Sequence, residues 1–191
     1  FTGRLQIPRL NVLFLYVNRF IFWKLFLKPE DIIITVSAYY KKMLQRKYPA
    51  NTIYAVKQYG GAESKIVSYR HKKYDFIWLG RFHPQKGVLE MIDIWNEVIK
   101  RKPGAKLAII GLGALETQMK QKVYDYKIGN NVFFMGAKLD DDRNRILQQS
   151  RAILHPAVYD SGGMAAATGL ACGLPGVCFD LPVFKTYYPT G

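Results

Sequence analysis

Between Tyr74 and Asp180 the chain alternates two patterns. Unbroken apolar runs such as Phe76-Ile77-Trp78-Leu79 and Leu107-Ala108-Ile109-Ile110 are followed by longer stretches whose apolar residues recur every three or four positions. A run that is apolar at every position belongs to a strand covered on both faces, as strands of parallel sheets are. The pattern predicts strands at 75–79, 106–110, 131–135, 152–155 and 176–179. Between them it predicts helices near 87–101, after Gly113 to about 126, from about 140 to 150, and near 163–172. Lys100, Arg101 and Lys102 suit the negative end of the first helix, and Pro103-Gly104 stop it. Such alternation predicts an α/β fold, a Rossmann-like parallel sheet with helices on both faces.

Ahead of Tyr74 the rhythm changes. Residues 10–27 read as an amphipathic helix ending before Pro29, and Asn11, Asn18, Arg19 and Lys24 break the run too often for a membrane span. Asp31–Val36 reads as a strand, Ala38–Arg46 as a helix capped by Ser37, and Thr52–Lys57 as a second strand before the break at Gly60-Gly61. Charge divides the chain in the same place. Of the net +14, residues 1–73 hold fourteen Lys and Arg against three acids, and residues 74–191 fourteen against eleven. Two regions are expected, 1–59 and 60–191, and the basic first one points to anionic partners such as lipid headgroups, nucleic acid or phosphorylated substrates. Cys172 and Cys178 sit in apolar surroundings without metal-ligand spacing, so a reducing cytoplasm is the expected setting.

The candidate chemistry lies in the loops behind the strands, where open α/β sheets bind ligands. Gly80-Arg81-Phe82-His83-Pro84-Gln85-Lys86-Gly87 carries two cations between glycines and is suited to a phosphate or diphosphate. The alternative is a pair of solvated surface cations. Gly111-Leu112-Gly113 leaves bare amides at a helix start, or simply makes a tight turn. It lacks the third glycine and the downstream acid of a dinucleotide site. Tyr159-Asp160-Ser161-Gly162-Gly163 sets a carboxylate beside free amides, which suits sugar hydroxyls and an anionic oxygen, or else a local helix cap. His155 reads as a packing residue, and His83 has no recognisable acid partner. No nucleophile elbow or Ser-His-Asp order is present. Asp140-Asp141-Asp142 reads as a dipole-matched helix start rather than a metal site.

Taken in order, these pieces resemble the C-terminal, donor-binding domain of retaining GT-B glycosyltransferases, glycosyltransferase family four. The resemblance rests on Gly80-Arg81 with Lys86-Gly87, on Ile110-Gly111-Leu112-Gly113, on Val132 to Gly136, on His155 to Gly163, and on Ala171 to Val177. It extends over about 31–185 and takes in Ile34-Thr35-Val36-Ser37-Ala38-Tyr39 upstream.

The resemblance implies that Arg81 and Lys86 bind the donor diphosphate, flanked by Gly80 and Gly87, and stabilise the leaving nucleotide. It implies that Gly111 and Gly113 belong to the donor site, and that Gly136 and Ala137 present backbone groups to the base. Asp160 stands where the family places the first acid of its E-x7-E signature, near the donor sugar, with Ser161, Gly162 and Gly163 contacting sugar and phosphate. Thr168 stands where the second acid holds the ribose, and cannot make a bidentate contact. The expected reaction is metal-independent, configuration-retaining transfer from a UDP-, GDP- or ADP-sugar to a glycan or lipid-linked acceptor, with no cofactor. Residues 1–59 would be the tail of an acceptor-binding N-terminal domain with its linker, and 60–191 a donor domain short of its last strand and closing helices. The 191 residues alone would then be inactive. An anionic membrane surface is a further expected partner, giving a cytoplasmic or peripheral membrane location. Alternatives are a nucleotide-sugar epimerase or phosphorylase of the same architecture, although no pyridoxal lysine context is visible. A basic nucleic-acid-binding module is the alternative of another class, and it lacks a recognition helix or stacking motif.

Overall fold

The computed structural model describes Trp23, residues 25–56 and residues 72–188. Of the predicted helix at 10–27, only Trp23 and the last three residues fall among these, and the Gly60-Gly61 break lies outside them. The chain divides into two compact units, Phe1–Lys57 and Gln58–Gly191.

In the first unit β1 (Ile32–Thr35) and β2 (Thr52–Ala55) pair in parallel, with Ile32 opposite Thr52 and Thr35 opposite Ala55. The helix α1 (Ala38–Lys47) connects them. Ser37 caps it as predicted, its Oγ accepting the Tyr40 amide at 3.0 Å. The Asn51 side-chain amide donates to the Lys28 and Asp31 carbonyls, at 2.6 and 3.0 Å, and so fixes where both strands begin.

The second unit is a five-stranded parallel sheet. It contains β3 (Tyr74–Leu79), β4 (Leu107–Ile110), β5 (Val132–Phe134), β6 (Ser150–His155) and β7 (Gly176–Cys178), in the order β5-β4-β3-β6-β7. Five helices join or follow them: α2 (Val88–Arg101), α3 (Glu116–Asp125), α4 (Asp140–Gln148), α5 (Met164–Ala171) and α6 (Pro182–Tyr187). Alternate strand residues enter two separate cores. Trp78, Leu107 and Ile109 pack with Met91, Ile92 and Trp95 of α2 and Met119 of α3, while Ile77, Ala108, Ile110 and Ile153 pack with Leu147 of α4 and with Cys172 and Leu174. This is why the strands are apolar throughout. The buried stripe of α2, Val88, Met91, Ile92 and Trp95, has helical spacing. Each large side chain it buries contributes about 1.5–3 kcal/mol.

The predicted elements are found within a residue or two, with three differences of substance. The strand β6 starts two residues earlier, because Ser150 pairs with Tyr74 while its hydroxyl donates to the Ile146 carbonyl at 2.9 Å. Pro84–Lys86 forms a 3-10 turn inside the cationic loop, with His83 Nδ1 accepting the Gln85 amide at 3.2 Å. Finally α6, absent from the sequence reading, follows Leu181 with Pro182 in its first turn.

Candidate functional site

The strand order reverses between β3 and β6. From β3 the chain builds outward through β4 to β5, then returns to place β6 on the other side of β3. Loops leaving two neighbouring strands toward opposite flanks open a crevice at their carboxyl ends. The loop after β3 holds Arg81 and Lys86, and the loop after β6 holds Asp160.

Backbone contacts join these loops. The Gln85 carbonyl accepts the Val158 amide at 3.1 Å and the Tyr159 amide at 3.4 Å. Gly87 occupies left-handed backbone at φ 62, and a Cβ on it would overlap the Pro156 carbonyl oxygen, so no other residue fits without parting the loops. On the other flank Gly111 packs on the Gly80 carbonyl and Gly113 on the Phe82 backbone, while the Phe82 amide donates to the Leu112 carbonyl at 2.9 Å. Loop-to-loop approach is therefore the structural demand on Gly111 and Gly113. The Gly111 amide also donates to the Gly136 carbonyl at 2.9 Å, extending the rim to β5, with Ala137 exposed beside it.

At the centre Lys86 meets Asp160, 74 residues away in sequence, with Nζ 2.5 Å from Oδ2. The Lys86 side chain is 23% exposed and that of Asp160 only 5%. His155, buried at the end of β6, brings Nε2 to 3.2 Å from the same oxygen. The other oxygen, Oδ1, accepts the Gly162 amide at 3.1 Å and the Gly163 amide at 2.8 Å. Burial alone would push the Asp160 carboxyl up. Hydrogen bonds from His155, Lys86 and the Gly163 and Gly162 amides outweigh it and hold the group well below the usual carboxylate range. The amides that the sequence left open for an anion are thus taken by the neighbouring carboxylate, as a local cap would take them.

Arg81 is exposed and makes no hydrogen bond or ion pair among the described residues. Ser161 is exposed as well. The Thr168 hydroxyl turns back along α5 and donates to the Met164 carbonyl at 2.9 Å. No hydrogen bond links Thr168 to the Asp160 cluster among the described residues.

Sequence reasoning missed three supports. His155, taken for a packing residue, bonds Asp160 while its ring lies 5.5 Å from that of Phe184. Tyr188 donates to both the Gly162 and Gly163 carbonyls, at 3.0 and 3.1 Å, and so clamps the loop after β6. Phe184 and Tyr188 pack together with centroids 6.2 Å apart, a pair at helical spacing behind Leu181-Pro182 that was the available signal. Asp140, Asp141 and Asp142 are exposed in the first turn of α4, away from these contacts. Among the described residues, no group of three His, Cys, Asp or Glu side chains is arranged to hold a metal ion, and no helix is long and apolar enough to cross a membrane.

This fold and loop arrangement match a known family. The model of the family glycosyl transferases group 1 matches residues 62–188, and the chain belongs to that family. A poly(glycerol-phosphate) alpha-glucosyltransferase of Bacillus subtilis is 25% identical over 115 residues, which is 60% of this chain and 17% of that protein. An uncharacterized glycosyltransferase of Methanocaldococcus jannaschii is 28% identical over 158 residues, 81% of this chain and 41% of the relative. The chain thus spans less than half the length of either. Among solved structures, a variant of S. aureus TarM in complex with fondaparinux, alpha-GlcNAc-glycerol and UDP superposes with a TM-score of 0.74 at 16% identity, over 92% of this chain and 35% of that one. That likeness shows the fold, the parallel α/β sheet with flanking helices found in GT-B glycosyltransferases.

Proposed function

We propose that this chain is the donor half of a retaining glycosyltransferase of family four, which takes a nucleoside-diphosphate sugar and transfers the sugar without a metal ion. The observation that carries this reading is the presence of two cations, Arg81 and Lys86, in the one loop that leaves β3 at the switch point of the sheet. Arg81 is solvent-facing, and Lys86 is held by Asp160 with its side chain 23% exposed. An arginine fork and a lysine point charge suit the diphosphate, and in the transition state they neutralise the leaving nucleotide as a divalent cation otherwise would. Gly136 and Ala137, at the end of β5, lie within the same rim and would meet the base. Thr168 offers the ribose one hydroxyl oxygen rather than a carboxylate, so the diphosphate carries more of the affinity. UDP, present in the TarM complex, is the first base to test.

In this reading the acceptor, a glycan or lipid-linked chain, is bound chiefly by protein preceding residue 60, and the 191 residues alone transfer nothing. The basic first region, with Lys41, Lys42, Arg46 and Lys47 on or ending α1, would meet an anionic membrane surface where such acceptors reside.

Calorimetric titration tests the donor site. Arg81→Ala and Lys86→Ala should each weaken nucleoside diphosphate binding about ten- to a hundredfold, since a hydrogen bond to a charged group contributes about 1.5–3 kcal/mol. Affinity for the nucleoside should hold. Unchanged diphosphate affinity in both variants would place the anion elsewhere and end this reading.

A further inference from the structure

The carboxylate of Asp160 is fully engaged by the protein itself. An ionised carboxylate has two oxygens and about four acceptor positions. Here Oδ2 takes Lys86 Nζ and His155 Nε2, and Oδ1 takes the Gly162 and Gly163 amides. Because the carboxylate is acceptor-only, His155 must carry its proton on Nε2. The single methylene of Asp keeps the group back against its own loop, where it bonds residues two and three positions on. A sugar hydroxyl reaching this carboxylate would have to displace one of those donors and leave it unpaired in a site where Asp160 is 5% exposed. Lys86 is placed differently. Its ammonium has three donors, one of them on Asp160, and its side chain reaches solvent.

Resting on the donor-site reading above, we propose that Asp160 is a positioning residue. Backed by His155, it aims the Lys86 ammonium at the diphosphate and sets the turn at Gly162-Gly163, and it makes no hydrogen bond to the donor sugar. The arrangement has the logic of an outer-shell carboxylate–histidine pair, which orients the group that touches the ligand rather than touching it.

The test is a double-mutant cycle on the full-length protein. The probes are whichever of UDP, GDP and ADP the wild type binds most tightly, together with its glucose ester. Wild-type protein that binds none of the three ends the donor-site reading itself. Given binding, Asp160→Asn should change the affinities for diphosphate and glucose ester by a common factor of threefold or more, equal within twofold. In a Lys86→Met background the same substitution should change neither by more than twofold. His155→Phe leaves the carboxylate in place and removes its Nε2 donor, so it should show the same two properties in smaller degree, even if Asp160→Asn fails to fold. His155→Gln, which keeps a donor, should restore wild-type values. Loss of glucose-ester affinity tenfold beyond the loss for diphosphate, persisting with Met at position 86, would show a direct sugar contact and overturn the proposal. Affinities unmoved by all of these substitutions would overturn it equally.

Discussion

Gly87 offers the most direct check on how the two binding loops are held. Replacing it with Ala has three consequences. The residue sits at φ 62, where an L side chain costs about 1–2 kcal/mol. The new methyl would overlap the Pro156 carbonyl oxygen, a backbone atom that cannot rotate away as a side chain can. Relief requires the loops after β3 and β6 to part, which strains the Val158 and Tyr159 amide bonds to the Gln85 carbonyl. Losing the equivalent of one such bond costs a further ~0.5–1.5 kcal/mol. The expected total is about 1.5–3.5 kcal/mol, an effect of the size tied to specific packing faults rather than to surface change. Urea unfolding followed by tryptophan fluorescence reads it directly, since Trp78 and Trp95 are buried in the adjoining core. Gly104→Ala is the internal control, because a Cβ there meets nothing within 4 Å. It should stay within about 1 kcal/mol of wild type. Gly87→Ala unfolding within that same margin, or both variants losing stability alike, would refute the loop-contact argument.

Two further outcomes are expected. Tyr188→Phe removes the hydroxyl shared by the Gly162 and Gly163 carbonyls and should lower stability by about 1 kcal/mol, seen as a drop of a few degrees in thermal unfolding; an unchanged melting temperature would show that the clamp contributes nothing. Asp160 adds a pH dependence whose sign is fixed. Its folded-state pKa lies below the unfolded value of about 3.9, so its contribution is complete above that pH and is lost as pH falls through the lower folded value. The stability gap between wild type and Asp160→Asn should therefore be widest near neutrality and shrink below about pH 4, and urea midpoints showing the same gap at both ends would contradict the assignment.

Much of the fold is a matter of local pattern. Apolar runs and the i, i+3, i+4 stripe of α2 are written in neighbouring residues, so strands and helices could be placed within a residue or two. The candidate loops could be picked out as well, since their glycines and cations stand directly behind predicted strands. The sequence could not say what those loops do to one another. That Asp160 binds Lys86, His155 and two amides of its own turn follows from β6 lying beside β3, a pairing between segments more than seventy residues apart. That Gly111 and Gly113 are required by the neighbouring loop follows from β4 lying on the other side of β3. The helix α6 was missed because six residues carry too short a period to be seen, although its Phe184, with Tyr188 just beyond, supports the loop after β6. Residue chemistry and periodicity act over a few positions and can be read one segment at a time. The partners of a buried charge are set by strand order, which exists only once the whole sheet has formed.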